Sequence, residues 1–261
     1  MGTVHSAQTW YPVMASVIRS LQQYNVGALA ADVATARRIL DFGAGTYEHC
    51  LSLPEEGDIS AGHRKHRNNT PYAGALDSCP LFAEIFNGFK AEKAGYRLLR
   101  RRAGTAYSLH DDKDVDDNLV RMQIPVMTNR SALLMVQKDG VNLNPVARRV
   151  NEITDGNDKP ITFDYTRFAR DFGDWFDAFL LEPGFFHLIE PARVHTLVNA
   201  GDTERVTLCI DLLRNEWLEG WISQHMRQSV PVLPVESLPE GSWEWGALRH
   251  GLLTHPRVRL T

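Results

Sequence analysis

His110 and Asp112 stand two residues apart in the run HDD, His195 closes the run RVH, and Arg205 follows ten residues later. Two imidazoles and one carboxylate form the facial triad that grips a non-haem ferrous ion and leaves one side of the metal open. An arginine just past the last of these groups can hold the carboxylate of an organic acid beside the metal, because its planar guanidinium offers two parallel hydrogen bonds. The chemistry these residues suit is oxygen activation at iron.

The spacing fits strands. Side chains alternate faces with period two, so if His110 points into a barrel then Asp112 does too, while Asp111 points away. The second imidazole must come from another strand, which is why 85 residues between His110 and His195 are no obstacle. Thr207 shares the face of Arg205 and can add a hydroxyl hydrogen bond, with Cys209 and Asp211 following at alternate positions. Arg121, in LVRMQIPV, is expected to bind a substrate acid group or the organic acid at the metal, and Gln123 shares its face. His187 is an alternative to His195 as a ligand, but the local pattern suits His195 better and leaves His187 to the core or to a supporting contact. Asp114, Asp116 and Asp117 read as a solvated acidic loop, and His63 and His66 sit in a charged loop unsuited to a rigid site.

The elements that must position these groups change character near Gly95. Before it, Tyr11 to Tyr24 spaces Val13, Val17 and Leu21 at helical intervals, and Val33 to Leu40 resembles another helix. Residues 52 to 75 read as a long loop, and Leu81 to Lys93 as a helix with Phe82, Ile85, Phe86 and Phe89 on one face. From Tyr96 onward come the short runs YRLLRRR, TAYSLHD, LVRMQIPV, ALLMVQ, FFHLIE, RVHTLVN and RVTLCIDL, rich in β-branched and aromatic residues. Many short strands with few helices predict a sandwich or barrel. The cluster NAGDTE predicts a hairpin that carries His195 and Arg205 on its two arms. Residues 138 to 183 read as an insertion, in which FDYTRFARDFGDWFDAFL places Phe163, Phe168, Phe172, Trp175 and Phe176 at helical spacing. These aromatics suit packing against the sheet better than a lid over the site. The Pro-rich stretch from Val230 to Pro239 reads as a strap.

Composition sets outer bounds. With 261 residues and 43% hydrophobic content the chain can bury a full core as one domain: a mostly helical layer over 1–95, a β core over 96–215 and an extension over 216–261. A net charge of −4 and only short basic runs, HRKHR and RLLRRR, argue against nucleic acid as a partner. No apolar stretch approaches a membrane span, and three scattered cysteines, Cys50, Cys79 and Cys209, suit a reducing compartment; a soluble cytoplasmic protein is the expectation.

Three blocks of this chain, RRAGTAYSLHDD, VRMQIPVMTN and EPGFFHLIEPARVHTLVNAGDTERVTLCIDL, together resemble the aspartyl/asparaginyl β-hydroxylase-like family of Fe(II)- and 2-oxoglutarate-dependent dioxygenases. His110, Asp112, His195, Asn199 and Arg205 match that family's pattern, which covers roughly residues 101 to 212. The resemblance implies a double-stranded β-helix of jelly-roll or cupin-like form with flanking helices. It also implies iron on His110, Asp112 and His195, with 2-oxoglutarate on Arg205 and Thr207 and further contacts from Arg121 and Gln123. The implied reaction consumes O2 and releases succinate and CO2 while hydroxylating a C–H bond. The substrate it implies is a small molecule, amino-acid-like or peptide-like. Desaturation or cyclisation from the same chemistry, or a noncatalytic cupin-like metal- or ligand-binding protein, are the other readings. Gln123 departs from the pattern, since relatives commonly place a histidine there, and the stretch 138–183 is longer than theirs.

Overall fold

A computed structural model describes residues 17–40, 48–53, 70–71, 73–107, 109–111, 118–144, 173–189, 193–199 and 201–233. Two antiparallel sheets dominate it. The larger runs in the order β13 (Met226–Ser229), β1 (Val17–Gln23), β10 (Phe185–Ile189), β7 (Leu119–Met127), β12 (Arg205–Leu213), β5 (Lys93–Arg101) and β2 (Glu48–Cys50). The smaller runs β6 (Thr105–Ala106), β11 (His195–Asn199), β8 (Ala132–Gln137) and β9 (Phe176–Leu180). From β5 to β12 the chain passes back and forth between the sheets, staying within one sheet only from β8 to β9. This winding is the double-stranded β-helix expected from the sequence.

Strict alternation divides the larger sheet into two chemistries. One face carries Tyr96 and Leu98, Val120, Met122, Ile124 and Val126, Leu188, and Val206, Leu208, Ile210 and Leu212, all buried. They form one core with the helices α1 (Val26–Ile39), α3 (Pro80–Gly88) and α4 (Glu216–His225), where each fully buried aliphatic or aromatic side chain contributes roughly 1.5–3 kcal/mol. The opposite face, turned to the smaller sheet, carries the arginines and other polar groups described below. That contrast follows from period two alone: the residues between the apolar ones are the chemical ones.

The helices are held by specific caps. Asn25 accepts the Ala28 N–H at 3.0 Å to start α1, and Asn215 accepts the Leu218 N–H at 2.8 Å to start α4. α3 begins with Pro80 and takes its capping acceptor from another helix, since the buried Asp32 carboxylate of α1 receives the Phe82 N–H at 2.9 Å. Burial raises the Asp32 pKa above the ordinary carboxylate value, against the lowering effect of hydrogen bonds from Phe82 and Leu81.

Several sequence expectations are corrected. The described part of Tyr11 to Tyr24 is a strand, not a helix: Val17 and Ile18 pair with Ile189 and Leu188 of β10, and β13 takes the other edge. Pairing on both edges satisfies the backbone there and overrides the helical spacing of three apolar residues. The second helix starts at Val26, well before Val33, because Asn25 caps it. The third stops at Gly88, and Lys93 already opens β5. Within 52–75, β3 (Ser52–Leu53) pairs with β4 (Thr70–Pro71) and α2 (Ala73–Leu76) follows, while His63 and His66 lie outside the described residues. The insertion ends in β9, which pairs along β8, so Phe176 is a buried strand residue and not part of a helical stripe. Trp175 is half-buried, and Phe163, Phe168 and Phe172 lie outside the described residues. Val230 donates to Val17 and Leu233 to Ala178, so the first part of the strap bridges β1 and β9, and 234–239 lie outside the described residues.

The predicted hairpin is also replaced. β11 pairs with β8 and β6, whereas β12 pairs with β5 and β7, so the NAGDTE turn carries the chain from the smaller sheet to the larger. Turn chemistry reports a reversal of direction and not which sheet the next strand joins. No helix among the described residues is long and apolar enough to cross a membrane.

Candidate active site

His195 opens β11 and meets His110 across an isolated antiparallel bridge. The His110 N–H donates to the His195 carbonyl at 3.0 Å and the His195 N–H to the His110 carbonyl at 2.7 Å. Directly opposed residues of an antiparallel pair share a face, and the two rings lie with centroids 4.4 Å apart at 51°. His195 Nδ1 lies 2.9 Å from the Arg193 carbonyl oxygen; with the proton on Nδ1 that contact is a donated hydrogen bond, which leaves the Nε2 lone pair for a metal. Tyr107 packs edge-on against His110 at 4.7 Å, the Arg101 guanidinium sits 4.3 Å over the Tyr107 ring, and Thr196 donates its hydroxyl to the Tyr107 carbonyl. Asp112 lies outside the described residues, as do Asp114, Asp116 and Asp117. Among the described residues no group of three His, Cys, Asp or Glu side chains gathers to hold a metal, so two of the three expected ligands are brought together and the third is not placed.

Facing these rings across a cavity of about 60 Å³ is the polar face of the larger sheet. Arg205 and Thr207 of β12, Arg121 and Gln123 of β7, and Arg97, Leu99 and Arg101 of β5 line it, with Leu134 and Leu197 joining the histidines on the other side. Every co-substrate residue expected from the sequence therefore reaches the same cavity as His110 and His195. Arg205 is 1% exposed and Thr207 2%, so a guanidinium and a hydroxyl are both set in a water-poor wall. In such surroundings a charge-assisted hydrogen bond is stronger than at a surface.

Two residues that bear on this wall went unassigned in the sequence. Asp211, 0% exposed, takes Arg121 Nε at 2.7 Å and Nη2 at 3.0 Å, and Arg97 Nη1 lies 2.8 Å from its other oxygen contact, Oδ2. Burial alone would raise the Asp211 pKa, but the charges and hydrogen bonds of Arg121 and Arg97 outweigh it and hold the carboxyl well below the usual range. Asp211 thus fixes two cavity guanidiniums at once. The alternation on β12 put Asp211 on the right face, but its partner Arg97 was legible only as part of a basic run. Glu204, next to Arg205, ties the start of β12 to Arg37 of α1 and, at 3.0 Å, to Arg100 of β5. Burial opposes ionisation of Glu204, yet these two arginines lower its pKa.

The link between the metal side and the acid-binding side is equally built. Asn199, fully buried at the end of β11, shares its amide among the carbonyls of Arg101 and Arg102 at 3.1 Å and Thr203 at 2.9 Å, and its oxygen accepts from Asn129 at 3.0 Å. A Cβ on Gly201 would collide with the Asn129 carboxamide, so the turn needs glycine there. His187 of β10 is buried beside Gln123; burial, and then the nearby Arg205 charge, push its pKa down to about 3 against the raising effect of backbone hydrogen bonds with Phe185 and Gln123, so the ring is neutral.

No protein-family model matches the chain, and no curated protein matches it. Among solved structures it is similar to an oxidoreductase of the 2OG-Fe(II) oxygenase family from Burkholderia pseudomallei. The identity is 11%, with 77% of this chain and 87% of that one covered and a TM-score of 0.46. It is similar to HygX from Streptomyces hygroscopicus with nickel and 2-oxoglutarate bound, at 9% identity, covering 77% and 84% with a TM-score of 0.48. A Pseudomonas putida prolyl-4-hydroxylase matches at 14% identity over 77% of this chain and 94% of its own, with a TM-score of 0.39.

Proposed function

We propose that this protein is an Fe(II)- and 2-oxoglutarate-dependent oxygenase that hydroxylates a C–H bond of a small amino-acid-like or peptide-like metabolite. The observation that carries the reading is the cavity itself, where two strand-paired imidazoles on one sheet face a buried arginine and threonine on the other. The donor set fits ferrous iron: His195 is oriented by a backbone carbonyl so that its outer nitrogen can bind, His110 stands beside it, and Asp112 would complete the triad. When bound there, iron would supply oxygen activation coupled to decarboxylation of the keto acid, with succinate and CO2 released.

The chain's own residues do the rest. Arg205 holds the far carboxylate of 2-oxoglutarate with its guanidinium fork, and Thr207 adds a hydroxyl donor beside it. Gln123 offers an amide to the co-substrate from the next strand. Arg121, locked by Asp211, is a pre-oriented cation for an acid group of the substrate, which spares the ordering of a flexible side chain on binding. The buried walls exclude water and so strengthen each of these contacts. The kinship with aspartyl/asparaginyl β-hydroxylase-like enzymes rests on the three sequence blocks. Cys79 and Cys209 are buried thiols, which suits a reducing compartment such as the cytoplasm.

The test is succinate formation by protein reconstituted anaerobically with Fe(II) and then given 2-oxoglutarate and O2, followed by a substrate screen read by mass. Succinate above a no-iron control and a product heavier by one oxygen are expected. A product lighter by two hydrogens would redirect the claim to desaturation or cyclisation. No succinate with any substrate would leave a cupin-like binding protein in its place.

A further inference from the structure

Cross-strand register sorts the four arginines that line the cavity into two groups on the inward face of the larger sheet. At one end Arg101 of β5 stands directly opposite Arg205 of β12. At the other end, roughly 20 Å along β12 at about 3.4 Å per residue, Asp211 stands opposite Arg121 of β7 and is also reached by Arg97 of β5. Like charges directly opposite on one sheet face repel, and more strongly where water is scarce. The second group shows how this fold reconciles two such cations: one carboxylate, Asp211, receives Arg121 at 2.7 Å and Arg97 at 2.8 Å, one from each neighbouring strand. The first group likewise draws its two arginines from neighbouring strands, with Arg101 6% exposed and Arg205 1%. Arg101 is held at the wall, its guanidinium 4.3 Å over the Tyr107 ring and its Nη1 donating to the Arg100 carbonyl at 3.1 Å. Next to Arg205 on the inward face of β12, the Thr207 hydroxyl is 2% exposed, lines the same cavity and has no hydrogen-bond partner among the described residues. Buried polar atoms are satisfied in the great majority of cases, so an acceptor from a ligand belongs at this end.

We propose that Arg101 is a second guanidinium for the carboxylate that Arg205 binds, so that a ligand acid group bridges Arg101 and Arg205 as Asp211 bridges Arg97 and Arg121. This rests on reading Arg205 as the residue that binds 2-oxoglutarate. A carboxylate has about four lone-pair sites, enough for both guanidiniums and the Thr207 hydroxyl together. The consequence is specificity. A doubly cationic end selects a keto acid with a second, ionised carboxylate and rejects one that ends in a methyl group, which would leave two buried cations facing each other without compensation. An Arg101 that only supports Tyr107 makes a different claim: acting through the ring packed against His110, it would alter iron retention and the affinity for every keto acid alike.

The experiment titrates two keto acids calorimetrically into full-length, anaerobic, Fe(II)-loaded protein: 2-oxoglutarate, and 2-oxopentanoate, which carries a methyl group in place of the far carboxylate. Wild type is compared with Arg101→Gln, Arg101→Lys and Arg205→Lys. Arg101→Gln is expected to weaken 2-oxoglutarate about tenfold, the loss of one charge-assisted hydrogen bond, while 2-oxopentanoate stays within about twofold and iron is retained. Arg101→Lys, which keeps the charge but not the planar fork, shows a smaller loss for 2-oxoglutarate and none for 2-oxopentanoate. Unchanged 2-oxoglutarate affinity in Arg101→Gln, or an equal loss for both keto acids, overturns the proposal; if that variant does not fold, the same results in Arg101→Lys overturn it instead. Weaker 2-oxoglutarate binding in Arg205→Lys with full affinity in Arg101→Gln sinks this inference alone, whereas a wild type that binds neither keto acid sinks the functional reading and this one with it.

Discussion

The backbones of His110 and His195 exchange a reciprocal pair of hydrogen bonds, so the two rings are neighbours through strand pairing and not through loop placement. Their separation is therefore as rigid as the smaller sheet. We predict that His195→Ala abolishes retention of ferrous iron after anaerobic desalting, measured by metal analysis, with little loss of secondary structure by circular dichroism. Tyr107→Leu, which removes the ring packed against His110, should weaken iron binding roughly 10-fold, in the range for loss of a supporting contact, while Tyr107→Phe keeps it. Full iron retention by His195→Ala would remove this residue from the metal site.

Arg205 sits on the other sheet, and its contribution should appear in co-substrate affinity and not in metal content. Arg205→Ala is expected to raise the Kd for 2-oxoglutarate by about 100-fold or more, the cost of a two-pronged charge-assisted contact in a buried wall, with iron still bound. Calorimetry with the metal-loaded variant checks it. An unaltered Kd would reject the assigned role.

Asp211 carries the charge balance of two cavity arginines, and removing a buried partner leaves cations without compensation. Asp211→Asn should lower unfolding free energy by about 3–5 kcal/mol in urea denaturation at pH 7. Since the folded-state pKa lies below the unfolded value near 3.9, the contribution of the carboxylate is complete above that value and declines as pH falls toward the folded pKa. The gap between wild type and variant should thus stay constant from pH 8 to about 5 and narrow only below about 4. A gap that narrows on raising the pH from 5 to 8 would contradict the ion-pair account.

Much of the β core was legible because period two is a local signal: the runs around Leu98, Ile124, Leu134, Val198 and Leu208 announce strands without knowledge of their partners. The site residues were legible for the same reason, as alternation placed Arg205, Thr207 and Asp211 on one face. What sequence could not supply is pairing between distant elements. Strand β1 forms because β10 and β13 flank it, and the Arg97–Asp211–Arg121 cluster arises because β5, β12 and β7 are adjacent. Asp32 likewise gave no hint that it caps a helix fifty residues away. Such features are set by topology, which the apolar pattern constrains only as a whole.

Asn199 couples the strand of His195 to the turn that delivers Arg205, and its carboxamide is enclosed. Asn199→Ala strands several backbone carbonyls and should cost roughly 1–3 kcal/mol of stability. Because the turn then loosens, 2-oxoglutarate affinity should fall while iron affinity changes little, since the His110–His195 bridge lies at the far end of β11. Parallel titrations of metal and co-substrate separate the two effects. Equal losses in both would mean that Asn199 supports the whole smaller sheet and not the turn.

His187 gives stability a dependence on pH of the opposite origin to Asp211. Its folded pKa of about 3 lies below the unfolded value near 6.5, so the unfolded chain takes up a proton there over a range in which the folded chain does not. Stability from this group is unaffected above about pH 7 and falls as the medium is acidified, by up to about 1.4 kcal/mol per pH unit between the two pKa values. His187→Phe removes the titration, so its advantage over wild type should be small at pH 8 and grow steadily toward pH 5 in matched urea denaturation curves. An advantage independent of pH would mean that His187 titrates normally in the folded protein and is not shut away from water.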